Sequence, residues 1–146
     1  MRFKDTVGIS HYLRKTELKL KLKIDQVLNP LQLTLPKYSV LALLEEETKL
    51  TNAELARRSS VTPQTMNRIL HSLQSDSLIS SKSDNKSELK INYALTAKAK
   101  KIICSAHEAV NKIELEMIEG LSPKDFSQLM QLFEKMNKNL NGSDKI

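Results

Sequence analysis

Residues Thr51 to Leu78, TNAELARRSSVTPQTMNRILHSLQSDSL, restrict the fold more than any other stretch of this chain. Thr51-Asn52-Ala53-Glu54 has the spacing of a capping box. In it the threonine hydroxyl accepts from the Glu54 amide while the carboxylate reaches back to the Thr51 amide. A helix therefore starts near Asn52, with Leu55 and Ala56 facing inward. Arg57 to Ser60 lead to Val61, an apolar peg between two helices. Thr62-Pro63 marks the second start, because threonine is a good N-cap and proline suits a first helical position whose N–H has no partner. Met66, Ile69, Leu70 and Leu73 then recur at i, i+3, i+4 and i+7, which makes one buried stripe. Gln64, Thr65, Arg68, His71, Ser72 and Ser75 take the opposite face, with Asn67 at its border. Two short helices so arranged have the layout of a helix-turn-helix, whose second helix enters the DNA major groove. The plainer alternative is an amphipathic helix pair with a solvated polar face.

The next segment decides between them. Leu89, Ile91, Tyr93 and Leu95 alternate with Lys90, Asn92 and Ala94, the period of a half-buried strand. A short strand from Ile79 to Lys82 precedes it, across the polar turn 83–87. A hairpin directly behind a helix-turn-helix is a wing, and Lys82 and Lys86 lie at its tip, where a phosphate backbone or minor groove would run. An ordinary surface hairpin has a similar composition; position favours the wing. Charge points the same way. The chain carries a formal net charge of +6, and from Thr51 to Lys101 nine basic residues face four acidic ones. Nearly all the excess sits in the winged segment, where phosphate neutralisation would use it. Thr51, Thr62, Gln64, Thr65, Asn67, Arg68, His71, Lys82 and Lys86 are the expected DNA contacts.

At 146 residues the chain makes one modest domain or a domain with an appendage. Its start, Met1-Arg2-Phe3-Lys4-Asp5, shows no secretory signal, and no apolar run approaches the ~20 residues that cross a bilayer. One cysteine excludes an intramolecular disulfide, so a cytoplasmic location is expected. Helical spacing from about Asp5 to Leu28 places Ile9, Leu13, Leu20, Ile24, Val27 and Leu28 on one stripe. The strand-like alternation from Leu18 to Ile24 is read as part of that helix, in preference to a strand or a membrane-surface helix. Thr34 is expected to cap a helix running to Glu47, Thr96 one from Ala97 to about Glu119, and Ser122 the last, with Phe126, Leu129, Leu132, Phe133, Met136 and Leu140 on its stripe. These terminal stripes have no obvious partner within the chain. Packing them between two copies gives a twofold homodimer, whose target is a pseudopalindrome with half-sites about one helical turn, ~34 Å, apart.

In the order helix, helix, helix-turn-helix, wing and two helices, the chain resembles the MarR family of bacterial transcriptional regulators over nearly its whole length. The residues that carry the likeness are Leu31 to Leu41, Leu50-Thr51 to Leu55-Ala56, Val61-Thr62-Pro63, Leu73 to Leu78 and Leu95-Thr96. The resemblance implies a mainly α fold: a winged helix-turn-helix with a small β-hairpin wing and N- and C-terminal dimerisation helices. It divides a single domain, 1–146, into a DNA-binding lobe at 30–96, dimerisation helices at 1–29 and 97–140, and a tail at 141–146. It further implies a homodimer on a palindromic operator of double-stranded DNA, usually as a repressor, often released by a small molecule or an oxidant. Gln64, Thr65, Asn67 and Arg68 would read the major groove. The wing departs from the pattern, because Ser87-Glu88-Leu89 stands where the family usually has Asp-Arg-Arg. Ser77 and Ala99 stand where it usually has glycine. These departures sustain a second reading, a winged-helix dimer with weakened DNA binding that acts through a protein partner. No cofactor and no membrane association are expected. Cys104, His107 and Glu108 share one helix face, but a packed cysteine with two polar neighbours explains them better than a metal site. An enzyme is not expected: there is no Gly-rich phosphate loop and no paired nucleophile and base.

Overall fold

The structure, a computed structural model, describes residues 8–84 and 87–141; the side chains of residues 84 and 87–89 lie outside that description. Its elements are α1 (Ile9–Leu28), α2 (Leu35–Glu46), β1 (Leu50–Thr51), α3 (Asn52–Arg58), α4 (Pro63–Ser75), β2 (Ile79–Asp84), β3 (Ser87–Leu95), α5 (Ala97–Met117) and α6 (Pro123–Asn141). The described residues fall into two compact units, one ending at Ile113 and the other beginning at Glu114.

Within the first unit a single apolar cluster runs from Ile24 and Leu28 of α1, through Val40, Leu41 and Leu44 of α2, to Met66, Leu70 and Leu73 of α4. The α5 residues Ala99, Ile103, Ala106, Val110 and Ile113 complete it. The alternating Leu18–Ile24 segment is helical, as its surroundings require. Ile24 is buried and Leu20 packs on the cluster, whereas Leu18 and Leu22 face outward. The predicted α1 stripe is thus split: Ile24 and Leu28 enter the core, while Ile9 and Leu13 stay exposed.

Thr34 occupies the N-cap position of α2 without a side-chain cap. Asp25 of α1 does that work instead, its Oδ1 accepting the Leu35 N–H at 2.6 Å. Burial pushes the Asp25 carboxyl up, but the Lys21 ammonium and the Leu35 amide outweigh it and hold it below the usual aspartate range. One turn of 3-10 helix, Asn29–Leu31, separates α1 from α2.

The sheet has one strand more than the expected hairpin. Its order is β1-β3-β2, all antiparallel, with Leu50 opposite Tyr93 and Ile79 opposite Leu95. The two-residue β1 escapes a pattern search because alternation cannot show in so short a run. The hairpin strands extend further into the turn than alternation suggests, with an irregularity at Ser83/Asp84. On the inner face, Leu50, Ile79 and Tyr93 are buried. Ser80, Lys82, Lys90, Asn92 and Ala94 share the outer one by register.

Two helix ends in this unit close in the same way. The Leu78 N–H reaches the Leu73 carbonyl at 2.9 Å and the Ser77 N–H reaches that of Gln74 at 2.9 Å, with Ser77 at φ 57°. The Val61 N–H likewise reaches the Ala56 carbonyl, with Ser60 at φ 53°. Both are Schellman ends, which favour glycine at the left-handed position. Leu73 and Leu78, both buried, supply the apolar contact that accompanies the motif. Serine at position 77 is therefore accommodated at a backbone cost. Ala99 carries none: it is helical, and its side chain is wholly buried in the core. Ser77→Gly is expected to stabilise the fold by ~1 kcal/mol, read as a higher urea midpoint with an unchanged slope.

Candidate nucleic-acid interface

The site begins with how α4 is held. Its three buried residues, Met66, Leu70 and Leu73, are each at most 1 % exposed. That face cannot turn outward without emptying the core, so the opposite face is fixed toward solvent. At the helix start the Thr62 hydroxyl accepts the Thr65 N–H at 3.1 Å and donates to the Thr65 hydroxyl at 3.0 Å. At its end the Lys37 ammonium of α2 meets the Asp76 carboxylate at 2.7 Å. Lys98 and Thr96 donate to the Asp76 and Ser77 carbonyls, each at 2.8 Å. Both ends of the helix are anchored.

The preceding helix starts at the expected capping box. The Thr51 N–H donates to Glu54 Oε2 at 2.7 Å and the Glu54 N–H donates to Thr51 Oγ1 at 3.3 Å. The Thr51 amide, then its hydroxyl, hold the Glu54 carboxyl below the usual glutamate range. Thr51 and Thr62 were expected among the DNA contacts, and both hydroxyls are engaged in caps.

Gln64, Arg68 and His71 are exposed on α4 and have no hydrogen-bond or ion-pair partner among the described residues. Thr65 is exposed beside them. On one flank two side chains are tethered. Asn67 Oδ1 accepts from Asn52 Nδ2 of α3, and Gln74 Nε2 donates to Ser81 Oγ of β2 at 3.1 Å. Between them α4 and the sheet enclose an open groove of about 420 Å³, lined by Asn67, Arg68, Leu70, His71, Gln74 and Tyr93. Lys82 is exposed on the wing; Lys86 lies outside the described residues. Sequence reasoning missed Asn52, Gln74 and Lys90. Lys90 shares the outer wing face with Lys82, and strand parity alone was enough to find it. Asn52 and Gln74 act across elements, which no local spacing reveals.

The α5 cluster is not assembled as a ligand set. His107 Nδ1 meets the Tyr38 hydroxyl at 2.9 Å and its Nε2 meets Glu45 Oε2 at 2.6 Å, both on α2. Cys104 is an exposed free thiol, and no group of three or more metal-binding side chains is found among the described residues. A separate cavity of about 510 Å³ lies between α1, α2 and the helix-turn-helix. Leu35, Pro36, Ala42, Leu43, Val61 and Ile69 form its apolar wall, and Glu17, Lys21, Glu46 and Arg58 also line it. Ser59 lines it too, and its buried Oγ has no hydrogen-bond partner among the described residues.

The family model described as MarR family matches residues 33–88, the span from the start of α2 into the wing. That span resembles a MarR-family domain. Over 136 residues it is 27 % identical to the HTH-type transcriptional repressor Rv2887 of Mycobacterium tuberculosis, covering 93 % of this chain and 98 % of that one. The same figures hold for the repressor Mb2911 of Mycobacterium bovis. The crystal structure of Rv2887 with salicylic acid superposes with a TM-score of 0.70, covering 90 % of this chain and 98 % of the other. S. aureus MepR in complex with DNA, at 23 % identity, gives a TM-score of 0.83 over 91 % of this chain and 96 % of its own. The winged-helix fold read from the sequence is therefore that of known MarR-family proteins, and the chain's relatives are transcriptional repressors.

The capping box makes a testable contribution. Because Glu54 titrates below its ordinary value in the fold, its stabilisation is fully present above that value and lost as pH falls through the folded one. Glu54→Gln keeps a carbonyl acceptor for Thr51 but removes the titration. Urea unfolding should show wild type more stable than this variant at neutral pH, with the gap closing in acid below the carboxylate range.

Proposed function

We propose that this protein is a dimeric, sequence-specific DNA-binding regulator that represses transcription from a pseudopalindromic operator and is released by a small molecule. One observation carries the reading. The outward face of α4 holds Gln64, Arg68 and His71 free of partners among the described residues, while its inner face is locked in the core. A helix so anchored presents donors and acceptors at fixed positions, as reading base edges demands. Lys82 and Lys90 on the wing supply phosphate neutralisation. Dimerisation is supported by exposed apolar residues on the terminal helices, including Tyr12, Leu13 and Leu22 of α1 and Phe126, Met130 and Phe133 of α6. The protein acts in the cytoplasm, and the reading assigns it no enzymatic step.

Genomic fragments selected by the full-length protein provide the test. Arg68→Ala should weaken binding to a recovered fragment by about 1–3 kcal/mol while sedimentation still shows a dimer. Unchanged affinity would remove Arg68 from the interface. The second reading, action through a protein partner, draws on Glu88 in the wing. A fragment bound in the nanomolar range against excess competitor DNA contradicts it.

The released state is assigned to the 510 Å³ cavity, because it touches α2 and the turn that carries α4. Its apolar wall accommodates an aromatic ring, and the unpaired Ser59 hydroxyl offers that ring's polar substituent a hydrogen bond. A small aromatic acid suits both, and the related Rv2887 has been crystallised with salicylic acid. In isothermal titration, Ser59→Ala should weaken salicylate binding about five- to ten-fold, the worth of one hydrogen bond, and leave stability nearly unchanged. Equal affinity of variant and wild type would place the ligand elsewhere.

A further inference from the structure

We infer that Asn52, on the first turn of α3, sets which base Asn67 reads, by turning the Asn67 carbonyl inward and leaving its amino group to face DNA. The inference rests on the DNA-binding reading above and adds a specificity-determining residue to it.

The orientation of the two amides follows from their neighbours. The Pro63 carbonyl can only accept a hydrogen bond, and it lies 3.4 Å from Asn52 Nδ2. That places the amino end of Asn52 toward the start of α4. The same Nδ2 meets Asn67, so the atom Asn67 offers in return is its acceptor, Oδ1. A flip of either amide would set two amino groups or two carbonyls against each other. The exposed remainder of Asn67 is its NH₂ group, a donor.

An unrestrained asparagine on a recognition helix pairs with adenine, accepting from N6 and donating to N7. With Oδ1 turned toward α3, the acceptor half of that pairing is diverted. An amino group alone matches guanine, whose major-groove edge carries two acceptors, O6 and N7, and it faces the N6 amino group of adenine unfavourably. Asn67 sits on the groove flank of α4, beside Arg68 and His71, so its reading belongs to the same half-site as theirs. Asn52 touches no base in this arrangement; it is a positioning residue.

The test is selection of bound duplexes from a randomised pool by full-length wild type, Asn67→Ala, Asn52→Ala and Asn52→Asp. Wild type should enrich guanine at one position of each half-site, and Asn67→Ala should lose that preference. Asn52→Ala frees Oδ1, and adenine should gain on guanine there by roughly ten-fold. Asn52→Asp offers Asn67 a carboxylate acceptor, reverses its amide, and should favour bases with a major-groove amino group, adenine or cytosine. The aspartate is compatible with a helix start, so a folding failure of the alanine variant leaves the prediction standing on the second one. The inference is overturned if wild type prefers adenine at the Asn67-dependent position. It is equally overturned if both Asn52 variants keep the wild-type preference, or if Asn67→Ala changes no position. A pool that wild type fails to enrich at all contradicts DNA reading itself, a result distinct from enrichment with the wrong base.

Discussion

The burial of Met66, Leu70 and Leu73 is the constraint from which the rest of this protein follows. Three large side chains at most 1 % exposed leave α4 no rotational freedom about its axis. At ~2–5 kcal/mol for truncating one such residue, exposing all three would cost about as much as the ~5–15 kcal/mol that holds a typical domain together. The polar face is thereby presented by the packing of the opposite one. The ends add direction: the Thr62 cap sets where the helix begins, and the Lys37–Asp76 pair with Lys98 and Thr96 ties its last turn to α2 and α5. Those ties also join the recognition helix to the elements that border the 510 Å³ cavity, since Lys37 stands on α2 between the lining residues Pro36 and Tyr38. A ligand that shifts α2 would act on the end of α4 through that ion pair.

Hydrogen bonds sort the polar residues of the helix-turn-helix into two groups. Thr51 and Thr62 spend their hydroxyls on caps, and Asn67 and Gln74 are tethered to Asn52 and Ser81. Gln64, Arg68 and His71 keep their full capacity among the described residues. An unpaired guanidinium in water loses nothing, because water satisfies it. A tethered amide has already lost rotamer freedom, so less entropy remains to be lost when it meets a base. The surface thus combines preset and adaptable polar side chains on one helix.

Much of this was legible in the sequence where the physics is local. The capping box at Thr51–Glu54, the Thr62-Pro63 start and the i, i+3, i+4, i+7 stripe each depend on residues within two turns, and each appears in the structure where spacing puts it. What depends on distant partners was not legible. Thr34 has the residue type of a cap, yet Asp25, ten residues before Leu35, accepts the Leu35 amide. The strand β1 exists because β3 pairs with it. His107 looked like one of three side chains on a helix face, whereas its ring nitrogens belong to Tyr38 and Glu45 of α2. Serines at positions 60 and 77 hide two Schellman ends that glycine would have announced.

The most direct test of the account is dimethyl sulfate probing of a selected DNA fragment with and without the protein. The reagent methylates guanine N7 in the major groove and adenine N3 in the minor groove. A pair of α4 helices from a twofold dimer should protect guanine N7 in two clusters about one helical turn, ~34 Å, apart on one face of the duplex, and Arg68→Ala should weaken both clusters at the same protein concentration. Tight binding with no N7 protection, or with protection confined to adenine N3, would contradict the claim that α4 is the element that reads DNA.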